Sequence, residues 1–257
     1  MIIFIIICFL TLPVTAWAET AFVDPELAPR SKLVYQVEES KQQFEHHIYV
    51  DQINAKEGQA YSIISDTSLG TLETSRTKSV YAKSPFLPLS HIESYNNTTD
   101  NFYYYKVVHW NWQTKQSDFE EIYQDGEKNE RNEFSTSWQD QPAYDVSLMY
   151  TGLLNGLPIS ADSRQTDLKL SVGNFAVAVD FQMVTTEVVS AAGRNWECYK
   201  IEATPNLGAL LNWVKFFFGN PKSYFWLTTA MPKLIIRADV KTPWYERKAE
   251  LKSFGTY

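Results

Sequence analysis

The side chains best suited to chemistry in this 257-residue chain are four histidines, a cysteine at position 198 and two pairs of adjacent glutamates. His46, His47, His91 and His109 have no spacing that would converge on a metal. Neighbours such as His46 and His47 point to opposite faces of an extended strand, so no zinc site is expected. The same divergence separates Glu38 from Glu39 and Glu120 from Glu121, which therefore read as solvated strand edges and not as an acid and base sharing one substrate. Cys198, flanked by Trp196 and Tyr199, has no histidine close to it in sequence, and buried packing is the simpler reading than nucleophilic catalysis. The chain contains no glycine-rich phosphate loop, no Gly-x-Ser-x-Gly elbow and no zincin pattern. The overlapping sequons of Asn96-Asn97-Thr98-Thr99 matter only in a eukaryotic secretory route. These residues predict no catalytic set, no metal and no cofactor. An enzyme acting on polysaccharide or lipid is the alternative that titratable groups without a motif leave open.

The elements that must position any site are strands. Aromatic residues make up 15% of the chain, with eight Trp and fifteen each of Tyr and Phe, a composition that favours sheets and buries large areas. Alternation of period two runs from Phe44, His46, Ile48 and Val50 through Leu234, Ile236, Ala238 and Val240 to Tyr245, Ala249 and Leu251. Val177, Val179, Phe181 and Met183 alternate cleanly. The phase then slips to Val184, Thr186 and Val188, which predicts a bulge or bend. Ala191 to Arg194 reads as the turn into a returning strand over Trp196 to Ala203. Phe102 to Trp112 is aromatic on both faces, so it is expected to be central or to face a ligand space. Many short antiparallel strands in series predict a meander that curls into a barrel or half-barrel, mainly β, with one or two short helices packed on it.

One helix is expected over 142–154, from Pro142 near its first turn and Val146, Met149, Leu153 and Leu157 at helical spacing, with Asn155-Gly156 and Pro158 as a stop. The other is Leu207 to Phe218, apolar almost all round. It is a helix covered by the sheet, or else a lid or membrane-surface segment, and it is too short to span a bilayer.

Residues 1–18 carry no Asp, Glu, Lys or Arg. An apolar run from Ile2 to Leu12, Pro13 and the small residues of Ala16-Trp17-Ala18 predict a secretory signal cleaved after Ala18, although only the α-amino group supplies positive charge before the run. Residues 19–257 then form a single domain, since no linker, repeat or low-complexity tract divides them. Removal of the signal leaves Cys198 alone, so no intramolecular disulfide is expected. The net charge of −7 lies outside the signal, with acids and bases interspersed. Nucleic acid is therefore not an expected partner.

Leu33-Val34-Tyr35, Tyr144 to Met149, Val188-Val189 to Gly193, and Tyr224-Phe225-Trp226-Leu227 through Met231-Pro232 to Ala249-Glu250-Leu251 occur in one order. In these blocks, over most of residues 31–254, the chain resembles the bacterial exported family of domain of unknown function 3108. The resemblance implies a periplasmic antiparallel β domain similar to the curved half-barrels of lipoprotein carriers, with no catalytic residues. The chain departs from the pattern in lacking a glycine soon after its first strand and in its bulky 207–218 segment.

Two readings of function follow. In the first, a non-enzymatic envelope protein holds a lipid or other apolar ligand in its curved sheet, with Tyr104, Trp110, Trp213 and Phe217 as ligand-binding residues and 207–218 as lid or membrane-surface contact. In the second, the core is filled and the protein docks to envelope partners through exposed strand edges.

Overall fold

A computed structural model of the chain describes residues 22–39, 42–69, 73–139, 142–145, 148, 152–161, 166–172, 175–206, 222–241 and 246–257. The signal-like residues 1–18 and the whole 207–218 segment, Trp213 and Phe217 included, lie outside the described residues.

The described residues form one fifteen-stranded sheet. Its strands are β1 (Ser31–Glu39), β2 (Gln42–Ala55), β3 (Gly58–Leu69), β4 (Glu73–Lys83), β5 (Phe86–Asn97), β6 (Phe102–Asn111), β7 (Gln116–Asp125) and β8 (Lys128–Ser137), followed by β9 (Tyr144–Asp145), β10 (Thr166–Val172), β11 (Phe175–Ala191), β12 (Arg194–Asn206), β13 (Ser223–Thr228), β14 (Ile235–Lys241) and β15 (Glu246–Thr256). Two meanders, β1 to β8 and β9 to β15, join where β1 pairs with β15. Every pairing is antiparallel except the short one between β9 and β10. Most neighbouring strands are joined by connections of two to six residues, whereas β12 and β13 are joined through residues 207–222. At the β11–β12 turn, Ala192 and Gly193 both take positive φ, 52° and 74°, the twist that joins neighbouring strands without splaying them.

Four register shifts bend the sheet, at Val34/Tyr35, Val80/Tyr81, Met183/Thr185 and Trp226/Leu227. The third lies where the alternation of β11 slips at Val184. The bending brings the two ends of the sheet together. Lys106 of β6 forms an ion pair with Asp145 of β9, although eleven strands separate β6 from β9 in the sheet order. The sheet does not close, because β8 and β9 remain its edges. β8 is exposed at every position. Its Lys128, Glu130, Arg131 and Glu133 oppose edge-to-edge pairing with other chains.

The expected helix over 142–154 survives, where described, only at Leu148, which is helical. Tyr144–Asp145 is a strand, and Leu153–Gly156 is a single 3-10 turn. The apolar spacing of Leu153 and Leu157 arises because both are buried in the trough of the sheet. The Tyr81 hydroxyl donates to the carbonyl of Leu148 at 3.3 Å, and the amide of Val23 donates to the carbonyl of Gly156 at 2.8 Å. Residues 152–161 thus form a strap across the concave face of β3 to β5. The segment 22–28 crosses beside it, tied by the Tyr61 hydroxyl to Asp24 at 2.7 Å.

Candidate functional site

Between the strap and the concave face lies a cavity of about 380 Å³. Its walls follow from cross-strand register. One row of the sheet reads Tyr95, Ser75, Thr67, His46, Tyr35 across β5, β4, β3, β2 and β1. The next reads Glu93, Thr77, Ser65, Ile48, Leu33 across the same strands. Since side chains two apart share a face, all of these look inward, and all line the cavity. Apart from Tyr35 and His46, the half on β1 and β2 is apolar and continues through Phe225, Ala238 and Ala249 on β13 to β15, whereas the half on β3 to β5 carries hydroxyl groups. Ala238 and Ala249 are direct partners in register, and their small side chains leave the space open.

His46 is the polar centre. Its Nδ1 lies 2.6 Å from Thr67 Oγ1 and its Nε2 lies 3.0 Å from Ser65 Oγ. Burial, reinforced by the positive charge of Arg247 and by His47, pushes its pKa down to about 4. A neutral imidazole has one N–H and one lone pair. One hydroxyl must therefore donate to the ring, and the other accepts from it and keeps its own O–H for something else. The Ser65–His46 contact has the look of a nucleophile and its base. However, the group behind the ring is a hydroxyl and not a carboxylate, and an imidazole with a pKa near 4 is a weak base at neutral pH.

The depressed pKa carries a stability signature. In the unfolded chain His46 binds a proton below about pH 6.5, and in the fold only near pH 4, so between these limits the unfolded state holds more protons and stability falls as pH falls. Denaturant titrations from pH 7 to pH 4 should show His46→Gln losing roughly 1–3 kcal/mol less than the parent over that window. Equal slopes would mean that His46 is not held neutral.

Beyond the cavity wall lies an ionic cluster. Lys106 is buried, pairs with Asp145 and lies 3.6 Å from Glu93. Burial disfavours its charge, yet Asp145 and Glu93 outweigh burial and hold its pKa above the ordinary lysine range. Burial also opposes ionisation of Glu93, but the neighbouring His91 imidazole and the charge of Lys106 leave its carboxyl below the usual range. His91 Nδ1 is 2.9 Å from Ser79 Oγ, and its Nε2 is 3.9 Å from Glu93. His91, Glu93 and Asp145 could together ligate a metal ion, their ligand atoms lying within 4.8 Å of one another. The Lys106 ammonium already supplies a cation to both carboxylates, so the cluster is satisfied without one. The sequence signal for it was thin: His91-x-Glu93 places both on one face of β5, and Lys106 is Glu93's partner in register on β6.

Tyr104 and Trp110 stand on β6, off the cavity. Tyr104 is Tyr95's partner in register, one strand beyond the lining, and its hydroxyl donates to Glu121 at 3.5 Å. Burial pushes that hydroxyl's pKa up to about 12. Trp110 is a buried core residue. Cys198 is fully buried, and burial, with Glu187 and Glu197 nearby, raises its thiol to about 11, the behaviour of a packing residue.

No family model and no curated protein matches the chain. Among solved structures it is similar to a β-barrel-like protein of domain of unknown function 1849 from Brucella abortus, with TM-score 0.41 and 6% identity over 90% of this chain and all of that one. It is also similar to a candidate exported protein with a YmcC-like fold from Bacteroides fragilis, with TM-score 0.33 and 9% identity over 92% of this chain and all of that one. A third is a candidate lipoprotein of Parabacteroides distasonis, with TM-score 0.32 and 9% identity over 92% of this chain and 99% of that one.

Proposed function

We propose that this chain is an exported, non-enzymatic protein of the bacterial cell envelope that holds the acyl chain of a lipid in the trough of its sheet. The observation that carries the reading is the cavity itself, about 380 Å³ with an apolar wall, within the roughly 300–1,000 Å³ of small-molecule sites. An apolar wall of this extent offers an acyl chain close contacts that water does not. The export signal read in residues 1–18 and the resemblance to domain of unknown function 3108 support a periplasmic location. The weak basicity of His46 supports binding over catalysis.

The test uses the full chain secreted into a bacterial periplasm. Native mass spectrometry should show a co-purifying lipid. The neutral dye N-phenyl-1-naphthylamine should gain fluorescence on binding the delipidated protein. Ala249→Phe, which fills the cavity from β15, should weaken the dye by about 10-fold or more without lowering thermal stability. Absence of both an adduct and dye binding would favour the filled-core interaction protein.

A further inference from the structure

We propose that the cavity selects a neutral acyl ester over the free carboxylate of a fatty acid, an inference that rests on the lipid-holding reading above. Among the described residues, the polar wall carries hydrogen-bonding groups but no spare cation. Ser65, Thr67, Ser75, Thr77 and Tyr95 line it with hydroxyls around the neutral ring of His46. The ring's two hydrogen bonds leave one hydroxyl proton, on Ser65 or Thr67, available to an acceptor on a ligand.

Thr77 adds an independent sign of a missing partner. It is 7% exposed, it lines the cavity, and its Oγ1 is buried without a hydrogen-bond partner. Buried hydroxyls are ordinarily paired, so an orphan at the wall of an empty space points to a ligand atom that would satisfy it.

Charge decides which acceptor. The cation that lines the cavity, Arg247, is held by Glu39, with Nη2 and Nε at 2.6 and 2.8 Å from the same carboxylate oxygen. Glu93 is the anion on the wall, and in the cluster behind it two carboxylates, Glu93 and Asp145, face one ammonium, Lys106. Among the described residues, a fatty-acid carboxylate would meet no unpaired positive charge, would face the Glu93 carboxylate, and would lose its hydration on the way. An ester carbonyl accepts the same hydroxyl protons at much smaller desolvation cost.

The experiment titrates the delipidated full chain with cis-parinaric acid and with its methyl ester at about pH 8, where the acid is ionised, and follows the probe's fluorescence. The ester should bind about 10-fold more tightly or better. Thr77→Val, nearly isosteric and free of the orphan hydroxyl, should weaken the ester about 3-fold or more while thermal stability stays unchanged or improves. Equal or tighter binding of the acid would overturn the proposal, as would Thr77→Val leaving the ester unaffected. Failure of dye, acid and ester together would instead remove the lipid-holding reading on which it stands.

Discussion

Replacing Lys106 by Met is expected to cost about 3–5 kcal/mol of folding stability at neutral pH, the cost of breaking a buried ion pair from one side. Lys106 and Asp145 are 7% and 3% exposed, so water cannot take over for the lost ammonium. The substitution leaves Asp145 and Glu93 as two neighbouring carboxylates in a poorly solvated pocket. The signs of the titrations separate this from a packing defect. Glu93, held below the ordinary carboxylate range, stabilises the fold above its unfolded pKa, and that contribution is lost as pH falls. Lys106, held above the lysine range, contributes fully below its unfolded pKa and loses its contribution only in strong alkali. The variant's deficit should therefore be largest near neutrality and shrink toward acid, where the abandoned carboxylates can take up protons. The double variant Lys106→Met with Asp145→Leu should recover much of the loss, because a cluster replaced as a whole can be close to neutral. Urea midpoints for the three proteins between about pH 5 and pH 8 decide it, and a single-variant loss under about 1 kcal/mol would mean that this pair does not hold the curl of the sheet.

The strands of this fold were legible because each announces itself locally. The slip after Met183 in β11, the turn at Ala192-Gly193 and the closing alternation of β15 are properties of neighbouring residues, and the structure has each where the pattern puts it. The cavity is a property of curvature. Leu33 on β1 and Phe225 on β13 meet around it because β1 pairs with β15 and four bulges bend the sheet, and no local pattern encodes that meeting. The aromatic stripe of β6 drew attention to Tyr104 and Trp110. The lining takes its aromatics from other strands, Tyr35, Phe44, Tyr95 and Phe225, while small residues such as Ser65, Thr67, Ala238 and Ala249 leave room between them. His46 diverges from His47 as expected of a strand, yet its partners are hydroxyls on β3 that carry no recognisable motif. The helical spacing over 142–154 overreached at its two ends: Leu148 is helical, but Asp145, paired with Lys106, lies in β9, and Leu153–Gly156 is a 3-10 turn.

The strap that roofs the cavity should depend just as strongly on Phe86. This ring is fully buried, stacked on Tyr81 at 4.8 Å between centroids and edge-on to Tyr61 at 6.1 Å. The strap meets it through Gly156, where even a methyl group has no room: a Cβ there would lie 2.2 Å from Phe86 Cδ1. Gly156 in turn accepts the amide of Val23, so ring, strap and N-terminal segment are locked at one point. Phe86→Ala is expected to cost about 3–5 kcal/mol by opening a cavity under the strap, a fall of roughly 2–4 °C in Tm for each kcal/mol in a chain of this size. Gly156→Ala should cost about 1–3 kcal/mol through overpacking against the same ring. The two losses should not add, because in the double variant the new methyl group enters the space that the ring vacated, and a coupling of at least about 1 kcal/mol is expected. Gly152, Leu154 and Asn155 of the strap line the cavity, so Phe86→Ala should also weaken the neutral dye, whereas Ala249→Phe removes dye binding with stability intact. Additive losses, or a Phe86→Ala protein that binds the dye as the parent does, would show that the roof of the cavity is held from elsewhere.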